Sequence, residues 1–152
     1  ATLPAAEEAC DDGQDNDCDG AVDEGCTDCF QRSYGEHRYW FCPGPRTFAA
    51  AREACQALEA DLIVVDDADE NAWAWDQAID IAAQRWWIGL SDQDAEWRWR
   101  WVDGSRLGFA AWTRGEPNDG GRREDCAHFW ADEPGWNDIP CSAEHGVICE
   151  AP

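Results

Sequence analysis

Oxygen-bearing side chains are concentrated in one long polar segment, Gly115 to Asp138, which is rich in Gly, Pro, Asp and Asn. Calcium takes about six to eight oxygen ligands, whereas magnesium prefers fewer protein ligands and keeps its waters. A loop of this length needs something to organise it. The segment therefore predicts a calcium site, with an acidic loop of no special geometry as the alternative. Its seven oxygen-bearing candidates are Glu116, Asn118, Asp119, Glu124, Asp125, Asn137 and Asp138.

A second acidic segment, residues 10–26, consists mostly of Asp, Gly and Cys. Its spacing resembles the opening of an EF-hand loop and the short Asp- and Cys-rich motifs of bacterial surface proteins. Cys26 stands where an EF-hand loop has its last glutamate, so Glu24 would have to supply the missing oxygens. We expect calcium here, with a disordered acidic spacer as the alternative. The ligands would be Asp15, Asp17, Asp19, Asp23 and Glu24.

No histidine stands in a pattern with a Ser or Cys nucleophile, which a nucleophilic enzyme would need. We therefore expect no catalytic residues, and we expect structural or surface roles for His37, His128 and His145. Most of the eleven tryptophans are expected in the core. Trp97 and Trp130 are the better candidates for contact with a ligand.

The chain of 152 residues has a formal net charge of -22 and nine cysteines. Such a charge repels phosphate backbones and anionic headgroups, which argues against nucleic acid and direct membrane insertion. The cysteines indicate an oxidising compartment, hence a secreted or cell-surface protein. Zinc at Cys26 and Cys29 is a weak alternative, because no second such pair follows at a suitable spacing. Without a leader or a long apolar run, we expect a mature or trimmed segment.

The elements that position these residues are predicted to begin near Cys29, after a linker over residues 1–9 and the acidic motif over residues 10–26. Thr47 is the predicted N-cap of a helix that ends near Ala60. A buried strand over Leu62–Val65 and a helix reaching about Ala83 follow, with Trp73 and Ile79, together with Trp75 and Ala83, on the buried side of that helix. Strands are predicted over residues 86–90, 97–101 and 146–150.

Three short motifs occur in a fixed order: Trp87-Ile88-Gly89-Leu90, Glu116-Pro117-Asn118 and Trp136-Asn137-Asp138. On these motifs, residues 29–150 resemble a C-type lectin-like domain. The resemblance implies an α+β, disulfide-stapled fold, with two helices flanking small antiparallel sheets and a long calcium-binding loop. It also implies a cis peptide bond at Pro117.

Carried over residue by residue, the resemblance implies two calcium ions in the long loop. The sugar-site ion would be held by Glu116, Asn118, Glu124, Asn137 and Asp138, which would also bind the carbohydrate. The second ion would be held by Asp92, Glu96, Asp119, Glu124 and Asp125. The order Glu-Pro-Asn implies sugars with equatorial vicinal hydroxyls, such as mannose and N-acetylglucosamine, or similarly arranged hydroxyls in fucose.

The same resemblance implies the pairing of six cysteines: Cys29–Cys42, Cys55–Cys149 and Cys126–Cys141. Three cysteines then remain in the acidic motif, where Cys10–Cys18 is the expected pair. Cys26 would be left as a free thiol or as a link to another chain. An oligomer through Cys26 is therefore one expectation.

The sequence thus predicts a calcium-dependent lectin that binds glycans or monosaccharides. The alternative is a calcium-stabilised domain of the same fold that binds protein or another non-sugar surface. An enzyme is the weakest interpretation, because no nucleophile with its base is found.

Overall fold

The computed structural model describes residues 29–95, 97–117 and 124–152, so the predicted linker and the acidic motif fall outside it. These ranges form eight strands and two helices. The strands are β1 (Phe30–Tyr34), β2 (His37–Arg46), β3 (Asp61–Leu62), β4 (Trp86–Ser91), β5 (Arg100–Trp101), β6 (Cys126–Phe129), β7 (Trp136–Ile139) and β8 (His145–Ala151). The helices are α1 (Phe48–Gln56) and α2 (Ala68–Ile81).

All eight of these strands belong to one sheet, with the order β1-β2-β8-β4-β6-β7. Strand β3 also pairs with β8, and β5 pairs with β4. The pairs are antiparallel except for β4 with β8, which run parallel. The predicted α+β class is confirmed. The strands join a single mixed sheet where we expected small antiparallel ones, because the last strand lies between two earlier ones.

Strand β4 is buried on both faces, and alternate side chains of a strand point to opposite faces. Trp86, Ile88 and Leu90 belong to one buried cluster, which also contains Trp136. Trp87 belongs to a second cluster, together with the helix α1 and the end of β8. The apolar side chains of β4 thus pack into both buried clusters.

Both helices begin at side-chain caps, of which the one at Thr47 is predicted from the sequence. Thr47 accepts a hydrogen bond from the backbone N–H of Ala50, and Asp67 accepts one from Glu70. Each such cap stabilises a helix by about 1 kcal/mol. Helix α1 ends at Gln56, earlier than the predicted Ala60, because the chain turns there towards β3.

The buried side of α2 differs from the prediction. Trp73, Trp75 and Ile79 are only half-buried, and Ala83 lies beyond the helix end at Ile81. The residues that face the core are small or hydrogen-bonded, because small side chains let the helix lie close to the sheet. They are Glu70, Asn71, Ala74 and Ala78.

The segment after α1 is a strand only at Asp61–Leu62, although Ile63 and Val65 are buried as predicted. The carbonyl of Ile63 accepts a hydrogen bond from the Gly89 N–H at 2.8 Å. A Cβ atom at Gly89 would lie 2.8 Å from that carbonyl oxygen and 2.9 Å from the carbonyl oxygen of Leu62. Only glycine allows this close approach of the two segments.

Three disulfides connect the described elements in the pairs that we expected. Cys29–Cys42 joins the start of β1 to β2, Cys55–Cys149 joins α1 to β8, and Cys126–Cys141 joins β6 to the chain after β7. The expected Cys10–Cys18 pair and Cys26 lie outside the described residues. No helix in the described ranges has the length and apolar character needed to cross a bilayer.

Candidate functional site

Two of the predicted ligands, Asn137 and Asp138, stand side by side on β7. Strand β7 pairs with β6, so that Asn137 lies opposite His128 and Asp138 lies opposite Ala127. Asn137 is 7% exposed and Asp138 is 0% exposed. Buried polar side chains are held by hydrogen-bond partners, so their neighbours decide where their atoms point.

The orientation of the Asn137 amide follows from its contact with His128. The His128 Nδ1 lies 2.8 Å from the backbone carbonyl oxygen of Phe129, which can only accept, so Nδ1 carries the proton. The His128 Nε2 is then an acceptor for the Asn137 Nδ2, 3.1 Å away. Burial lowers the pKa of His128 to about 4, so the ring is neutral at pH 7. The amide oxygen of Asn137 is therefore turned away from His128.

Hydrogen bonds with helix α2 hold Trp136, the residue that precedes the predicted ligand Asn137. The Asn71 side chain accepts a hydrogen bond from the Trp136 indole Nε1 at 2.8 Å and donates one to the Pro134 carbonyl at 2.7 Å. The Trp75 indole donates to the Trp130 carbonyl at 2.9 Å. The chain that leads into β7 is thus tied to α2 at three points.

The turn at Glu116 is tied to the same strand through Thr113. The backbone N–H and the hydroxyl of Thr113 both donate to the Trp136 carbonyl, at 3.0 and 3.1 Å. The Glu116 N–H in turn donates to the Thr113 carbonyl at 2.9 Å. The peptide bond between Glu116 and Pro117 is cis, as the resemblance implied. The Glu116 turn and β7 are therefore held in one unit.

A second group of predicted ligands surrounds Asp92, which is buried. The Asp92 N–H donates to the Asp125 carbonyl at 3.0 Å, and the Asp92 Oδ2 accepts from the Trp97 N–H at 2.9 Å. The Asp125 Oδ1 is buried and has no hydrogen-bond partner among the residues that the structure describes. A buried carboxylate oxygen of this kind is costly unless a cation or a donor compensates it.

The remaining predicted ligands divide into two groups. Glu124 is described and half-buried, and it directly precedes Asp125. Asn118, Asp119 and Glu96 lie outside the described residues, as do Asp15, Asp17, Asp19, Asp23 and Glu24 of the acidic motif. Within the described ranges, no three His, Cys, Asp or Glu side chains are grouped so that they could hold a metal ion.

The chemistry of the described donors nevertheless fits a hard cation. Asp92, Asp125, Glu116, Glu124 and Asp138 offer carboxylates, and Asn137 offers an amide oxygen. Oxygen donors of this kind suit calcium rather than zinc or copper. The buried Asp125 oxygen and the turned amide of Asn137 are the two structural observations that agree with such an ion.

The two tryptophans considered for ligand contact differ in their surroundings. Trp130 is half-buried, its indole N–H donates to the Thr113 hydroxyl at 3.1 Å, and the Arg85 guanidinium lies 4.7 Å from its ring centroid. Trp97 is 56% exposed. Trp97 is therefore the ring with a face open to solvent.

Comparison with known proteins agrees with the described fold. A family model for the lectin C-type domain matches residues 44–151. The hepatic lectin of Gallus gallus is 36% identical over 125 residues, which are 80% of this chain and 58% of that protein. The C-type lectin CEL-I from Cucumaria echinata has a TM-score of 0.76 and 30% identity, over 79% of this chain and 93% of that one. A calcium-independent type II antifreeze protein has a TM-score of 0.72 and 25% identity, over 80% and 90%.

The described elements form an α+β fold whose parts are connected by three disulfides. The chain belongs to the C-type lectin domain family. Among its relatives are two proteins named as lectins, the hepatic lectin and CEL-I. The chain spans little more than half of the hepatic lectin, at 58% of that protein's length.

Sequence reasoning missed two residues that position the site, His128 and Asn71. His128 was assigned a general structural or surface role, and its contact with Asn137 depends on the register of β6 against β7. Asn71 lies on a helix face that we expected to be apolar. The sequence signal that could have revealed Asn71 is a polar residue one turn before Ala74 and two turns before Ala78, on the same side of α2.

Proposed function

We propose that this chain binds glycans through a calcium ion held between the Glu116 turn and β7. The observation that carries the proposal is the orientation of the Asn137 amide. Its Nδ2 is engaged by the neutral His128, which leaves Oδ1 for a cation. The Thr113 contacts with Trp136 support it further, because they hold the Glu116 turn beside the same strand.

Bound calcium would supply positive charge and open positions at which two vicinal sugar hydroxyls replace water. The side chains of the chain complete the recognition. A carboxylate such as Glu116 accepts a hydrogen bond from a hydroxyl, and the second N–H of the Asn137 amide donates one. Each hydroxyl can therefore give one hydrogen bond and receive another.

The proposed ligands follow the motif residues of the sequence. The sugar-site ion and the sugar would contact Glu116, Asn118, Glu124, Asn137 and Asp138. A second ion would contact Asp92, Glu96, Asp119, Glu124 and Asp125. A further ion in the acidic motif remains a separate proposal for residues 15–24. The Glu-Pro-Asn order favours mannose, fucose or N-acetylglucosamine over galactose.

The proposal also covers where the protein is located and how several copies associate. Three disulfides among the described elements favour secretion or the cell surface. A single sugar site is usually weak, and millimolar binding corresponds to about 4 kcal/mol. Useful avidity then needs several copies, and Cys26 is a candidate link between chains.

A second candidate function is a calcium-stabilised domain that binds protein or another non-sugar surface through the same loop. The fold similarity to a type II antifreeze protein supports a function other than sugar binding, although that protein is calcium-independent. The two candidates differ in a simple way. Both take up calcium, but only the first binds a glycan.

The test is a glycan array with calcium and with chelator, together with calorimetric titration of calcium. We expect binding to mannose-type glycans that is abolished by chelator and by Asn137→Ala. Gln31→Ala, an exposed amide on β1, is the control and should bind as the wild type does. Calcium uptake without glycan binding would select the second candidate, and no calcium uptake would contradict both.

A further inference from the structure

A cleft of about 410 Å³ opens beside β5, and its volume lies within the range of small-ligand pockets, about 300–1,000 Å³. Among the described residues, no side chain that lines it carries an oxygen atom. The cleft therefore offers hydrogen-bond donors, aromatic faces and positive charge, but no side-chain acceptor. The lining residues are Trp97, Arg98, Trp99, Arg100, Arg106 and Leu107.

Two of these arginines face each other across an antiparallel bridge, Arg100 with Arg106. Residues directly opposite in such a pair project from the same face, and like charges there are destabilising. Arg98 lines the same cleft, and all three side chains are exposed. Three of the eleven basic residues of a chain with a net charge of -22 are thus gathered in one place.

No carboxylate of the described residues neutralises this group. The ion pairs found in the described ranges are Arg52 with Asp61 and His37 with Glu150. The acidic side chain of the nearby turn, Asp103, accepts hydrogen bonds from Ser105, and no ion pair between it and these arginines is found. As far as the described residues form it, the cleft therefore favours an occupant that carries negative charge.

Trp97 adds an aromatic ring whose exposure and backbone are both unusual. It is 56% exposed, and its φ is 65°, in the left-handed region. Such a conformation is unfavourable for a non-glycine residue, and it is typical of functional sites. The Trp97 N–H is held by the Asp92 carboxylate at 2.9 Å. The ring is thus presented to solvent on a fixed backbone.

Two sets of contacts connect the cleft to residues near the proposed metal and sugar ligands. Asp92, which holds Trp97, donates its N–H to the Asp125 carbonyl. On the other side, the Trp99 ring packs against Trp112 at 4.8 Å, and Trp112 packs against Trp136 at 5.6 Å. Trp136 directly precedes the ligand Asn137.

We propose that this cleft binds the oxyanion of an acidic saccharide, a sulfate or a carboxylate, with the sugar ring against Trp97. The inference rests on the proposed glycan binding, because it extends the same surface to a charged sugar. Guanidinium groups match oxyanions with paired hydrogen bonds. An anion between Arg100 and Arg106 also removes the repulsion between them.

The test compares N-acetylglucosamine-terminated glycans that carry no charge, a sulfate or a uronic acid, in calcium. We expect the acidic forms to bind about tenfold more tightly than the neutral form, an advantage that shrinks as salt is added. In Arg100→Gln/Arg106→Gln this advantage is lost, while the neutral glycan binds as before. If only one kind of acidic form gains, that form identifies the preferred oxyanion.

The control is Arg32→Gln/Arg38→Gln on β1 and β2, which makes the same change in net charge. It should keep the tenfold advantage. Equal binding of acidic and neutral glycans to the wild type, or an equal loss in both double variants, would overturn the inference.

A second measurement separates this inference from the proposed function. N-acetylglucosamine 6-sulfate is titrated in chelator, and the Trp97 indole N–H is followed by NMR. A change in this chemical shift that is seen in the wild type and lost in Arg100→Gln/Arg106→Gln supports oxyanion binding in the cleft, even if no neutral glycan binds in calcium. If the chemical shift of the wild type does not change, the inference is overturned. Sedimentation showing that this double variant changes the oligomeric state, with acidic-glycan binding unchanged, would assign the cleft to a second copy and also overturn it.

Discussion

One hydrogen bond decides which atom of Asn137 is turned towards His128. The two ends of an amide have almost the same shape, so packing alone does not select between them. His128 selects the nitrogen, because its own Nδ1 is committed to the Phe129 carbonyl and its Nε2 can only accept. His128 is thus a positioning residue for the proposed ligand.

Replacing His128 by Leu should weaken calcium binding about 10- to 100-fold, because a ligand that loses its orienting partner binds metal less well. His128→Gln retains an acceptor and should recover part of the loss. Calorimetric titration of calcium measures both effects. An unchanged calcium affinity in His128→Leu, with the fold intact by circular dichroism, would contradict the orienting role.

At the level of single residues, the sequence identifies candidate ligands but not the residues that orient them. Glu116, Asn137 and Asp138 stand in short motifs that can be read along the chain. His128 is nine residues from Asn137 in the sequence, and they meet only because β6 and β7 pair in one register. A cross-strand partner of this kind requires the register, which no local pattern supplies.

At the level of the elements, the sheet and the segment after α1 meet at Gly89. Gly89 donates to the Ile63 carbonyl and accepts from the Val102 N–H, each at 2.8 Å. The backbones at Ile63, Gly89 and Val102 therefore lie close together, and the residue in the middle has no side chain. This close contact, rather than a turn, explains why a glycine stands in the Trp87–Leu90 motif.

Gly89→Ala should lower the free energy of unfolding by about 1–3 kcal/mol, because its Cβ would press on two backbone carbonyls that have little room to move. Urea unfolding measures the change. Gly108→Ala is the matched control, since no heavy atom lies within 4 Å of an added Cβ there. Equal stabilities of the two variants would show that the chain relaxes around Gly89.

Helix α2 shows why patterns of apolar residues identify a helix more reliably than its buried face. Its existence follows from the sequence, and the structure adds an N-cap at Asp67. The large side chains Trp73 and Ile79 pack against the core and are half-buried, while the smaller Ala74 and Ala78 are fully buried because burial is decided by how closely the sheet approaches. Glu70 is buried because the Tyr39 hydroxyl donates to it at 2.5 Å, a partner supplied from β2.

At the level of the whole molecule, the fold shifts the pKa values of two histidines in opposite directions. Their contributions to stability therefore depend on pH in opposite ways. The Glu150 carboxylate raises the pKa of His37 by hydrogen bonding, despite some burial. Burial and the nearby Arg85 lower the pKa of His145 to about 4. The His37 contact therefore stabilises the fold below about pH 6.5 and is lost as the pH rises through its raised pKa. For His145, stability falls as the pH drops from about 6.5 towards 4, because the unfolded chain takes up the proton first.

An NMR titration of the ring signals should show His37 titrating above pH 6.5 and His145 near pH 4. Glu150→Gln should lower the pKa of His37 towards its ordinary value, because the charged partner is removed. Glu36→Gln, an exposed neighbour of His37, is the control and should have a smaller effect. A His37 pKa that is the same in the wild type and in Glu150→Gln would contradict the assigned cause.

The sheet order has a consequence for how this domain is made. Strand β8, the last of the described elements in chain order, lies between β2 and β4, and Cys149 on it must find Cys55, 94 residues earlier. Until translation of β8 is complete, one edge of β2 and one edge of β4 lack their partner, and such edges attract other chains. A nascent chain that stops before His145 therefore cannot close its sheet, which makes the final seven-residue strand the step that commits the domain to its fold.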